Sequence, residues 1–266
     1  MSDLRAASTD PRARLVLAPN PSPMTLEGTN TYVLAAPGSD RAIVIDAGPP
    51  EQKYLDSVVA EAARAGQRIE LILLTHGHPD HSGGAPDLAR QVGVPVRALD
   101  PAHRLGDEGL DEGDVVELDG LEVRVIATPG HSADSLCFLL PGADGDVSGP
   151  DASVLTGDTI LGRGTTVVAH PDGRLADYLE SLKRLQELGE ARVLPGHGPE
   201  LESAGAAATY YLAHREERLE QVRAALIAGD TTPQQVVERV YADVDRVLWP
   251  AAEMSVRAQL DYLSGQ

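Results

Sequence analysis

The chain has 266 residues, 42% of them hydrophobic, and a formal net charge of −19. That length fits one large domain or one domain with a small appendage. The charge argues against a nonspecific grip on nucleic-acid phosphates, which needs clustered Lys and Arg, and no apolar stretch approaches the roughly 20 residues that cross a bilayer.

The first elements read as strands. Asn30–Leu34 and Ala42–Asp46 flank a Pro37-Gly38-Ser39-Asp40 turn, the pattern of a hairpin. Glu51–Ala65 carries Leu55, Val58, Val59 and Ala62 at helical spacing and stops at Gly66. Ile69–Thr75 is a strand that runs into His76-Gly77-His78-Pro79-Asp80-His81, three imidazoles and a carboxylate in six residues. A short helix, Ala85–Val92, and a short strand, Val94–Ala98, follow. Asp114–Leu118 and Leu121–Ala127 form a second hairpin about Asp119-Gly120.

Leu136–Leu140 and Ser153–Thr156 are strands separated by a Gly-, Asp- and Ser-rich loop, Pro141–Pro150. Cys137, the single cysteine, lies inside the first of them and reads as a small core residue. Leu175–Leu188 is an amphipathic helix ended by Gly189, and Ala191–Leu194 is a short strand. The pattern then turns all-helical. Ala204–Ala228 is a long helix with Arg215, Glu216, Arg218 and Glu220 on its wet side. Thr232-Pro233-Gln234-Gln235 has the cap, first-turn proline and N3 amide of a capping box, continued by Val236–Tyr241. A third helix covers much of Val244–Leu263, restarted at Pro250. Two domains are expected, residues 1–200 and 201–266. The polar Met1–Arg14 segment has no apolar core, so a cytoplasmic protein is expected.

Three later strands repeat one arrangement: an apolar run, a glycine-bearing turn, then a ligand-type side chain. They end in Pro129-Gly130-His131, Gly157-Asp158 and Pro195-Gly196-His197. Five of the eight histidines fall on such strand ends, where α/β folds build their sites. Coordination chemistry then suggests two metals. His76, His78 and His131 make one set, Asp80, His81 and His197 a second, and Asp158 can bridge them. Asp46, at the end of an apolar strand, either supports the histidine loop or is an ordinary turn residue. His103 and His214 have no ligand-like context.

These motifs resemble those of the metallo-β-lactamase superfamily, from Arg14 to Glu200 in order. The resemblance implies an α/β (α+β) fold: an αββα sandwich with a small helical C-terminal domain. It implies two Zn2+ ions, or other divalent metals, held by His76, His78, Asp80, His81, His131, Asp158 and His197. Residues Asn20–Tyr32, Leu161–Thr166 and Ala213–Arg215 are similar to the branch containing the mitochondrial lactamase-beta-like endoribonuclease, whose C-terminal domain is winged-helix-like. Here the tail has six Arg, no Lys and ten Asp or Glu, with no room for a full wing. Packing or a homodimer contact suits it better than RNA reading.

The implied reaction is attack by a metal-bound hydroxide on carbon or phosphorus, with Asp80 orienting the nucleophile or shuttling a proton. The substrates implied are single-stranded RNA, a small ester or thioester of the glyoxalase-II kind, or a β-lactam. A scaffold with a relic fold is the non-catalytic alternative. Asn30 and His170 are candidate substrate contacts.

Overall fold

Four layers, helix on sheet on sheet on helix, make up the body of the fold, and the computed structural model describes residues 8–265. The expectation about a leader falls largely on residues 1–7, outside that range. The first sheet holds β1 (Ala13–Leu17), β2 (Asn30–Leu34), β3 (Arg41–Ile45), β4 (Arg68–Leu73) and β5 (Val96–Arg97), in that spatial order. The first three run antiparallel, and β3, β4 and β5 parallel. The second holds β6 (Val115–Leu118), β7 (Leu121–Ala127), β8 (Leu136–Leu140), β9 (Ser153–Gly157) and β10 (Arg192–Pro195), antiparallel except for the β9–β10 pair.

The central strands β3 and β8 are near-continuous apolar runs because both of their faces are covered. Ile43, Ile45, Leu71 and Leu73 point inward against Val125, Phe138, Leu155 and Leu194 of the other sheet. The alternate residues Val44 and Ile72 meet Leu55 and Val58 of α1 (Gln52–Arg64) and Leu88 of α3 (Ala85–Val92). Cys137, Val154 and Val193 meet Tyr178 and Leu182 of α4 (Leu175–Gln186) on the far side.

The first half of α5 (Ala204–Ile227) completes that outer layer through Ala208 and Tyr211, while its second half nucleates a separate small core. There Val222 and Ala225 pack with Val236 of α6 (Pro233–Val240) and Val256 of α7 (Trp249–Ser264). Thr232 and Gln235 form the expected capping box, and Pro250 lies in the first turn of α7. Among the described residues no strand follows Pro195, so the wing is absent there, and no helix is long and apolar enough to cross a membrane.

Some elements depart from the sequence reading. β1 was not anticipated: it is an edge strand carrying Arg14, which breaks the apolar run. Pro79–Ser82 is a one-turn helix, α2, with proline at its start, instead of loop. β5 is two residues long, and a 3-10 turn at Arg246–Leu248 precedes α7. Arg215 is only 3% exposed, not on the wet side of α5, because it falls on the same face as Ala208, Tyr211 and Leu219.

Candidate metal centre

The C-terminal ends of β4, β7, β9 and β10 meet at one edge of the sandwich, where Leu136 N–H donates to Thr75 O at 2.7 Å and ties the sheets together. Their turns bring seven predicted side chains together. His78 Nδ1 lies 3.0 Å from both His76 Nε2 and His131 Nε2. Beside this triad, His81 Nε2 lies 3.2 Å from His197 Nε2, and Asp80 Oδ2 is 3.2 Å from His197 Nε2 and 3.6 Å from His81 Nε2. Asp158 stands between: Oδ1 is 3.3 Å from His81 and 3.4 Å from His197, and Oδ2 is 3.7 Å from His131.

Two glycines permit this crowding. A Cβ on Gly196 would come within 2.8 Å of the His81 ring and 2.9 Å of Asp158 Oδ1. Gly157 turns at φ +48°, and a Cβ there would lie 2.6 Å from Thr75 Oγ1.

Four rings are oriented from outside. His131 Nδ1 donates to Val167 O at 2.7 Å and His197 Nδ1 to Gly28 O at 3.1 Å. His81 Nδ1 donates to Asp46 Oδ2 at 2.8 Å, and His76 Nδ1 to Thr75 Oγ1 at 3.0 Å. With Nδ1 engaged outside, each ring turns its Nε2 inward, the atom that a metal would take. Asp46, buried at φ +54°, also accepts from Thr75 N–H and Thr75 Oγ1–H, both at 2.8 Å. Of the two readings of this residue, its bonds favour support of the histidine loop.

Burial pushes His76 well below the ordinary imidazole range, the neighbouring imidazoles adding to it, and burial lowers His131 as well. Burial opposes charge on His81 and His197 too, but facing carboxylates outweigh it. Asp158 and Asp46 hold His81 well above its ordinary value, and Asp158 and Asp80 bring His197 up to about 9. Asp158 stays well below the usual carboxylate range despite its burial, because His197 and His81 face it.

The donor set fits cations. A tetrahedral ion with metal–nitrogen bonds near 2.0–2.1 Å separates its ligands by roughly 3.3 Å, close to the spacings here. Asp158 Oδ1 is buried without a hydrogen bond of good geometry, facing only the His81 and His197 rings, and a cation between them would satisfy it.

The two candidate substrate contacts lie elsewhere. Asn30 is buried and donates through Nδ2 to Pro195 O and Gly198 O, both at 2.9 Å, clamping the loop that carries His197. His170 Nε2 is 2.8 Å from Asp261 Oδ2 of α7 and lines a separate depression with Arg174 and Tyr262.

A cavity of about 380 Å³ opens from His131 and Asp158 toward the C-terminal helices, with Leu161, Val167, Leu248 and Ala251 among its walls. Arg215, Arg218 and half-buried His214 line it too. Sequence reasoning missed these as cavity residues, although Arg215 sits on the apolar stripe Ala204, Ala208, Tyr211, Leu219, Val222 of α5, a position that signals burial.

Residues 24–197 match the family described as the metallo-beta-lactamase superfamily, and residues 232–266 match the beta-lactamase associated winged helix domain. The chain is similar to a beta-lactamase-like protein 2 homolog of Caenorhabditis elegans, 32% identical over 260 residues, covering 93% of this chain and 82% of that protein. It is also similar to an atrochrysone carboxyl ACP thioesterase of Aspergillus fumigatus, 36% identical over 220 residues, covering 81% of this chain and 65% of the fungal protein. The chain thus spans just under two thirds of that relative's length. A solved metallo-beta-lactamase family protein of Thermus thermophilus shares the fold, with a TM-score of 0.78 over 96% of this chain and 94% of the other at 23% identity.

Proposed function

The chain belongs to the metallo-beta-lactamase superfamily, and on that premise we propose that it is a dinuclear metal hydrolase acting on a small ester or thioester. The observation that carries this reading is the pair of ligand triads with Asp158 between them. His76, His78 and His131 would hold one divalent metal, Asp80, His81 and His197 the other, with zinc the ion we favour for an imidazole-rich set. Two such ions acidify a water molecule and stabilise a developing oxyanion.

The chain's own residues do the rest. Asp46, Thr75, Val167 and Gly28 hold four rings in register, so little reorganisation accompanies reaction. Asp80 is 29% exposed while His81 beside it is closed off, which makes Asp80 the carboxylate able to exchange a proton with solvent. The apolar cavity walls favour an acyl group and exclude water from its path. The thioesterase named among the relatives supports the thioester class. The net charge of −19 opposes an extended RNA footprint.

Metal content of the purified chain, followed by assays on a thioester panel, a single-stranded RNA and a chromogenic β-lactam, tests the reading. About two metals per chain and thioester turnover lost in Asp158→Ala are expected. Less than one metal per chain, or turnover untouched by Asp158→Ala, overturns it.

A further inference from the structure

Two arginines line the cavity beside the ligand cluster without a carboxylate to neutralise them. Arg215 is 3% exposed. It donates to Thr166 O and lies 5.0 Å from the Tyr178 ring centroid, and its Nε is buried with no partner. Arg218, three residues on, donates to Gln221 Oε1 and Val240 O, both at 2.8 Å, and lies 4.6 Å from the Tyr241 ring centroid. Among the described residues neither guanidinium is ion-paired, although the chain carries 41 acidic side chains against 22 basic ones. The Nδ1 of His214, on the same cavity, is also buried without a partner. A buried charge is tolerated when a counter-charge and hydrogen-bond acceptors are supplied. Here protein carbonyls and rings supply only part of that.

We propose that the cavity binds the anionic end of the substrate, a carboxylate or phosphate on a short acyl ester or thioester, through Arg215 and Arg218. The proposal rests on the hydrolase reading above. His131 and Asp158 line the same cavity, so a molecule held by the arginines has its acyl bond within reach of the ligand cluster. Guanidinium groups match planar oxyanions through paired N–H donors, and the apolar walls suit the carbon chain between anion and scissile bond. A volume of about 380 Å³ lies at the small end of ligand pockets and favours one compact molecule over a nucleic-acid strand.

The test pairs two N-acetylcysteamine thioesters, neutral butyryl and carboxylate-bearing glutaryl, on the metal-loaded chain. Calorimetry with free glutarate and inorganic phosphate, run on metal-loaded and on chelator-treated protein, reads anion binding separately from turnover. The glutaryl ester is expected to be favoured at least tenfold in kcat/KM. Arg218→Gln and Arg215→Gln should cut that ratio at least tenfold and weaken anion binding in parallel. Arg257→Gln, on the surface beside Glu253, should leave the ratio unchanged. If Arg215→Gln does not fold, Arg218→Gln carries the test. Tighter binding of glutarate than of phosphate assigns a carboxylate, and the reverse assigns a phosphate.

Turnover of both thioesters without discrimination, or a ratio unmoved by Arg218→Gln, removes the anion site and leaves the hydrolase reading standing. Arg218-dependent anion binding with no thioester turnover does the opposite. Cleavage of single-stranded RNA alone overturns the small-ester class.

Discussion

Asp46 shows how much of the site rests on one residue outside the ligand set. It takes hydrogen bonds from His81 Nδ1, Thr75 N and Thr75 Oγ1 at 2.8 Å each. Changing such a partner typically lowers metal affinity 10–100-fold. Asp46→Asn keeps the shape and the left-handed turn but loses the charge and an acceptor, so chelator competition should show a drop of about that size. Full wild-type affinity would mean that the ring is oriented by packing alone. Cys137 gives a prediction of another kind. Burial raises its thiol to about 11 despite hydrogen bonds from Thr128 and Thr159. The folded-state value lies above the unfolded one, so this contribution to stability is intact below the ordinary thiol range and is lost as the pH climbs toward 11. A disulfide-exchange reagent at pH 8 should leave the native chain unlabelled and label one thiol in denaturant. Rapid native labelling would contradict the burial. The clustering of the seven proposed ligands was legible at this scale, because imidazole and carboxylate at strand ends have few other uses. The supporting role of Asp46 was not, because the bond that defines it spans 35 residues.

At the scale of elements, local signals worked where the chain's own spacing decides the structure. Ala85–Val92, Leu121–Ala127 and Leu136–Leu140 form with the expected bounds, and the capping box at Thr232 is made in full. Thr232→Ala removes the side-chain acceptor for Gln235 N–H and should destabilise α6 by about 1 kcal/mol. For a chain of this size that lowers the thermal midpoint by roughly 2–4 °C, readable by circular dichroism. No change would show that α6 is held by packing alone. Elements whose identity depends on a neighbour were harder to read. β1 exists because β2 offers it an edge, and Arg14 near its start hides it from a pattern search. The sequence of α5 reads as one long helix with a wet side, yet its N-terminal half covers the second sheet and its C-terminal half belongs to the terminal helical core.

At the scale of the whole molecule, the proposed ligands come from both sheets. His76 to His81 follow β4 of the first, and His131, Asp158 and His197 follow β7, β9 and β10 of the second. Metals bound across that seam stabilise the native state only, by about 2.7 kcal/mol when present at 100 times the dissociation constant. Chelation should therefore lower the thermal midpoint by roughly 5–10 °C, with recovery on adding zinc back. An unchanged midpoint would place the ligands in a site assembled without metal assistance, or show that no metal binds.

The sequence alone determined that ligand-type side chains stand at strand ends, since apolar runs ending in glycine and such a side chain are written locally, and the layered class followed from the resemblance those motifs carry. Only the tertiary structure decided which side chains share a space. It bonded Asn30 to the loop that carries His197, tied His170 to Asp261, and turned Arg215 from a surface charge into a buried one beside the ligand cluster. These depend on contacts between residues far apart in the chain, where spacing carries no information and packing makes the choice.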